Sequence, residues 1–169
     1  MKIEKKYIIA GVLGVVSIAL ALGYLQYKRL MNYTIKFKGL RLKTLSAKQF
    51  VFDIFLNFTN NSDLKFDIVS QDYKVYLNDN FVTSLVNNSP ITILPKSPTV
   101  IGVNVSFDPT KVLNILNRNY ASILLRPETV KIKVDIKLKV SLYGFKVSIP
   151  YVYEDTLKAL LDMRKQPTV

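Results

Sequence analysis

The hydrophobic rhythm of the chain changes once, near residue 30. From Tyr7 to Tyr27 the sequence YIIAGVLGVVSIALALGYLQY carries no charge and no proline. As a helix rising ~1.5 Å per residue it would be about 31 Å long, the thickness of a bilayer's hydrocarbon core. No second run of this kind follows, and the dominant period becomes two.

That period predicts strands. In QFVFDIFLNFTNNS, Phe50, Phe52, Ile54, Leu56 and Phe58 share one face, Val51, Asp53, Phe55 and Asn57 share the other, and Asn60, Asn61 and Ser62 end the strand. DYKVYLNDNFVTSLV reads as a hairpin. Tyr73, Val75 and Leu77 alternate with Lys74 and Tyr76, and Asn78, Asp79 and Asn80 tolerate the left-handed backbone of a tight turn. ITILPKSPTVIGVNVSF predicts a short strand, a proline-bearing loop, and a second strand with Ile101, Val103, Val105 and Phe107 inward. One helix interrupts the pattern: Asp108 caps it, Pro109 suits its first position, Val112, Leu113 and Leu116 form its apolar stripe, and Asn117, Arg118 and Asn119 end it.

The clearest alternation is TVKIKVDIKLKVSLYGFKVSIP. Val130, Ile132, Val134, Ile136, Leu138, Val140 and Leu142 face one way and Lys131, Lys133, Asp135, Lys137 and Lys139 the other, before a turn at Tyr143 and Gly144 leads into Phe145, Val147 and Ile149. EDTLKALLDMRK predicts a closing amphipathic helix, with Glu154 and Asp155 near its positive N-terminal end. No helix separates the strands often enough for a parallel sheet. The expected fold is therefore all-β, an antiparallel sandwich of about seven strands with one short helix, preceded by a transmembrane helix. Residues 1–30 form the anchor and 31–169 the sandwich with its short C-terminal helix.

Two other readings of the N-terminal run were weighed. A cleaved leader would end in a small-residue site, and Ala19, Ala21 and Gly23 offer one, but Leu22, Tyr24 and Leu25 carry the apolar run past it. A buried helix that is hydrophobic on every side needs a larger protein around it than the remaining 31–169 supply. A retained single span, with Val15 at its middle, fits better. Tyr7, Tyr24 and Tyr27 stand at its ends, where amphipathic rings favour the interface, and Lys28 and Arg29 close it. The flanking lysines leave the side of the main domain open, because long domains translocate largely regardless of charge.

Composition narrows the chemistry. The sequence has neither cysteine nor histidine, which removes disulfides, a thiol nucleophile, the usual general base and the commonest metal ligand. Its six glycines are isolated, so no phosphate loop is present, and its acids are scattered. The expectation is a protein that is not an enzyme, with no cofactor and no metal.

FLNFTNNSDLKFDIVSQDYKVYLNDNFVTSLV, then ITILPKSPTVIGVNVSFDP, then VKIKVDIKLKVSLYGFKVSIPY together resemble the type 2 late embryogenesis abundant family, also called the water-stress and hypersensitive-response (WHy) domain. The resemblance covers most of residues 33–153 and rests on pattern and spacing. The family usually has Asn-Pro where this chain has Asn60 and Asn61, and Asn-Gly where it has Asn78 and Asp79. It implies a fibronectin-like sandwich without catalytic residues, often held at a membrane by an N-terminal anchor, with roles in stress protection, membrane association or lipid binding.

Charge bears on partners. The chain carries 24 basic and 12 acidic residues, a net +12. Outward lysines serve solubility and edge protection, or they meet an anionic partner. Lys131, Lys133, Lys137 and Lys139, spanning about 26 Å at ~3.3 Å per residue, are the candidate face for such a partner. Anionic lipid is favoured because the anchor already places the domain at a bilayer, where each lysine is worth about 1 kcal/mol. A protein partner is the other option, and nucleic acid is permitted by charge but supported by no motif. Two classes stay open: a membrane-tethered module that binds lipid or a surface partner, with stress protection as its role, and a structural component of a larger assembly such as a membrane-containing or enveloped virion.

Overall fold

The computed structural model describes residues 17, 20–46, 48–116, 125–142 and 144–163. Tyr7 and Val15, the predicted helix end at 117–119 and the turn residue Tyr143 lie outside them. Residues 20–30 form helix α1, which ends at the turn of Met31. Eight strands follow: β1 (Tyr33–Leu45), β2 (Phe50–Asn60), β3 (Phe66–Leu77), β4 (Asn80–Asn87), β5 (Ile91–Ile93), β6 (Pro98–Phe107), β7 (Lys131–Leu142) and β8 (Phe145–Thr156). Helix α2 (Pro109–Leu116) connects the sheets and α3 (Leu157–Met163) follows β8.

The strands form two antiparallel sheets, β1-β2-β6 and β4-β3-β7-β8. The short β5 pairs with β3 beyond the end of β4, so Phe66 faces Ile93 while Gln71 faces Asn87. Predicted alternation becomes burial. In β7, Ile132, Val134, Ile136, Leu138, Val140 and Leu142 are buried, while Lys131, Lys137 and Lys139 are exposed. Ile54, Leu56 and Phe58 of β2 meet Ile101, Val103 and Val105 of β6 and the inner face of the larger sheet. Phe58 is fully buried, stacked on Tyr33 at 5.4 Å and edge-on to Phe66 at 5.9 Å. Such aromatic pairs add to the area they bury.

Asn78 and Asp79 take φ of 46° and 65°, the left-handed pair of a two-residue hairpin turn. Thr110 N donates to Asp108 Oδ1 at 2.8 Å, the expected cap of α2. Pro98 begins the edge strand β6 and Pro150 lies in the edge strand β8, where a missing N–H costs no ladder bond on the open side.

The eight strands of the described residues compare with an expectation of about seven, and two expectations need correction. Phe52 is only half-buried; it stacks on Phe107 at 5.6 Å beside Phe50, at the rim of the core. Glu154 and Asp155 belong to β8, not to the closing helix. Tyr151 and Tyr153 prolong the alternation there: Phe37 N donates to the Tyr151 hydroxyl at 3.2 Å, and Phe37 stacks on Tyr153 with centroids 3.8 Å apart, so β8 closes against β1. Thr156 is the cap of α3 instead, its Oγ1 accepting from Ala159 N at 3.2 Å. Most of the predicted membrane-spanning helix lies outside the described residues, and among the described residues no helix is long and apolar enough to cross a membrane.

The core assignment is tested by truncation. Phe58→Ala should cost about 3–5 kcal/mol in denaturant melts and Lys139→Ala under about 0.5. Equal losses would mean that the strand parity is wrong.

Candidate functional site

The four lysines of β7 do stand on one outer face, but not as an uninterrupted cationic row. Lys133 Nζ lies 3.7 Å from both Asp135 Oδ1 and Glu154 Oε1, and 5.6 Å above the Tyr76 ring. Asp72 of β3 lies opposite Lys137 in the ladder. The unbalanced charge is therefore that of Lys131 at one end and Lys139 at the other. The row also runs lengthwise, from the end bearing the Asn78–Asp79 turn to the end from which α1 emerges.

That second end holds the densest polar construction among the described residues. Asn60 is completely buried, and its side chain makes four hydrogen bonds. Nδ2 donates to the Leu64 and Leu94 carbonyls at 2.7 and 2.9 Å, and Oδ1 accepts from Ser62 N and Ser62 Oγ at 3.0 and 2.7 Å. Asn60 N donates to Ser97 O at 3.0 Å, and Lys96 N to Ser62 O at the same distance. One amide thus holds the β2–β3 loop and the β5–β6 loop together.

The same loops grip the exit of α1. Asn61 N donates to Asn32 O at 3.0 Å, and Lys96 Nζ to Asn61 O at 2.5 Å. Arg29 engages Asp63 through both Nε and Nη2, the former at 3.1 Å, and its guanidinium holds the Asp63 carboxyl below its ordinary value. Leu30 plugs into the core. Of the predicted anchor residues that are described, Arg29 is consumed by this clamp, while Tyr24, Tyr27 and Lys28 are exposed. With Leu20, Leu22 and Leu25 also exposed, at ~100° per residue the apolar side chains are spread round the whole helix rather than along one packed stripe.

A third polar group lies on the outer face of the smaller sheet. Asp53 is buried there between Arg41 Nη2 at 2.7 Å, Lys43 Nζ at 3.2 Å and Asn104 Nδ2 at 2.9 Å. Burial alone would raise its pKa, but the hydrogen bonds from Asn104, Arg41 and Lys43 and the charge of Lys43 outweigh it and hold the carboxyl at about 2. Beside it Phe55 packs over Gly102 and under the Arg41 guanidinium, 5.3 Å from the ring centre. This arrangement ties three strands and leaves the carboxylate no spare capacity for catalysis. In the core, the Tyr73 hydroxyl donates to Gln71 Oε1 at 3.0 Å, and burial pushes that phenol well above its ordinary value. Among the described residues no group of three acidic side chains could hold a metal ion.

The strand pattern places Asn60 at the end of β2 and Asp53 on its outer face, and gives neither a partner. For Asp53 a signal existed: Arg41 and Lys43, two apart in the neighbouring strand, bracket a lone acid among phenylalanines. For Asn60 there was none.

A family model described as late embryogenesis abundant protein matches residues 55–153, more than half of the chain. Solved structures share the fold. A crystal structure of an Archaeoglobus fulgidus protein is 16% identical with a TM-score of 0.55, covering 73% of this chain and 93% of that one. A solution structure from Arabidopsis thaliana is 14% identical with a TM-score of 0.54, covering 72% and 80%. Another solution structure, of a protein put forward as late embryogenesis abundant, is 13% identical with a TM-score of 0.55, covering 89% and 86%. No curated protein matches. The chain belongs to the late embryogenesis abundant family that the model describes.

The Asp53 cluster sets an acid limit. A carboxyl whose folded pKa lies below its unfolded value stabilises the fold above the unfolded value, and that contribution is lost as pH falls from about 4 toward 2. Thermal melts between those values should therefore show a steeper loss for the wild type than for Asp53→Asn, and parallel curves would refute the assignment.

Proposed function

We propose that this member of the late embryogenesis abundant family is a non-catalytic, membrane-tethered module, its sandwich held at a bilayer surface in a stress-protective role. The observation that carries the reading is α1: apolar around its circumference, exposed, and locked at one end to the sandwich by Leu30, Arg29 and Asn32. A hydrophobic helix presented this way is stable where lipid covers it. Upstream, the sequence continues without a charge to Tyr7.

The acids that might have done chemistry are engaged in structure, Asp53 by two cations and Asp63 by Arg29. The β7 lysines suit a different contact from the bilayer's. A flat membrane at the α1 end would meet Lys139 alone of the β7 lysines, so the rest of the row, with Lys131 its unbalanced end, suits an anionic surface partner that approaches the side of the sandwich.

Extraction of the full chain from native membranes tests the tether. The wild type should stay in the pellet after alkaline carbonate washing. Val15→Arg should weaken insertion by about 2.5–3.5 kcal/mol and move part of the protein to the supernatant. Complete release of the wild type by carbonate would overturn the reading.

A further inference from the structure

The β-strand ends identify what lies beside α1. Leu142 pairs with Phe145 at the β7–β8 tip, and the ladder from there through Ser141 and Asp67 places this tip next to the start of β3, where Phe66 faces Ile93. Three loops therefore crowd one end of the sandwich with the exit of α1: residues 61–65, residues 94–97 and the tip at Gly144.

Two of these loops present apolar side chains to the outside. Phe145 is 77% exposed, immediately after Gly144 at φ +84°, and Leu94 is 53% exposed beside Pro95. Lys65, Lys96 and Lys146 stand around them, all exposed, and Lys28 adds to them from α1. Of the acids at this end, Asp63 is taken by Arg29, and Asp67, opposite Ser141, accepts from Thr92 Oγ1 at 2.7 Å. At the opposite end the tight turn carries Asp79 between asparagines. The combination of an unsupported aromatic ring, a leucine and a collar of lysines is that of an interfacial membrane contact, in which rings favour the headgroup layer and ammonium groups the anionic lipid.

We propose that this end of the sandwich docks on the bilayer, with Phe145 and Leu94 entering the interfacial layer and Lys65, Lys96 and Lys146 pairing with anionic headgroups. The exit of α1 is bound to the same end of the sandwich, by Arg29 on Asp63 and Asn32 on Asn61, and α1 carries exposed apolar side chains of its own, so the lipid that covers the helix is the occupant. The inference rests on the reading of α1 as membrane-held and adds that the folded domain itself touches the lipid. Because the tether makes docking intramolecular, weak contacts suffice to hold the domain upright.

The chain contains no tryptophan, so Phe145→Trp, Phe81→Trp and Val15→Trp each create a single tryptophan in the full-length protein, excited selectively beyond the absorption of its tyrosines. Phe81 is a control, 46% exposed beside the far turn. Each variant is reconstituted in vesicles of phosphatidylcholine and phosphatidylserine, with and without brominated acyl chains. Docking predicts blue-shifted emission and about twofold quenching at position 145, water-like emission without quenching at 81, and loss of the effect at 145 in high salt or when Lys65, Lys96 and Lys146 are changed to Gln. Quenching at 15 without quenching at 145 would overturn docking and leave the tether standing. Quenching at 145 without quenching at 15 would uphold docking and remove the tether. Absence of quenching at both would overturn both.

Discussion

The buried amide of Asn60 is the constraint on which the α1 end of the molecule depends. A primary amide removed from water is costly unless each of its groups finds a partner, and here both hydrogens and the oxygen do. Its partners are the Ser62 hydroxyl and three backbone groups of two loops, among them carbonyls that would otherwise be unpaired over the top of the core. Because Asn61, the next residue, takes the carbonyl of Asn32, the same network fixes where α1 leaves the sandwich. The direction of the helix and the closure of this end of the sandwich are one structural event.

Charge follows a comparable division of labour. The net +12 is not spread evenly in effect, because several cations are spent on structure: Arg29 on Asp63, Arg41 and Lys43 on Asp53, Lys133 on Asp135 and Glu154. Exposed pairs among these contribute little each, whereas the buried Asp53 depends on its partners. What remains in excess sits on the long face of β7 and around the loops beside α1. The two regions adjoin at the α1 end, where Lys146 lies opposite Ser141 on the face that carries Lys139.

Strand alternation was legible in the sequence wherever one face is buried and the other solvated, as in β7, and the Asn78–Asp79 turn and the Asp108–Pro109 helix start were legible through residue chemistry alone. Legibility failed where tertiary packing decides. Phe52 obeys the parity of β2 yet lies where the sandwich opens, and Glu154–Asp155 have the composition of a helix start but are drawn into β8 by the packing of Tyr151 and Tyr153 on Phe37. Of the candidate residues, the β7 lysines were found on one face, but the pairing of Lys133 with Glu154 comes from strand β8 and is invisible in a local window. Phe145 and Leu94 look like ordinary strand and loop residues until topology brings their tips to the same end as α1.

The central claim is that Asn60 holds the helix and the sandwich as one body at the membrane. Since the chain has no cysteine, spin labels placed at Tyr27→Cys and Ser84→Cys in the full-length protein in lipid nanodiscs report a single distance between α1 and β4. Pulsed electron resonance should give one narrow distance distribution, broadened by Asn60→Ala under conditions where that variant still melts cooperatively. A broad distribution with Asn60 in place, or a narrow one that Asn60→Ala leaves unchanged, would contradict the claim.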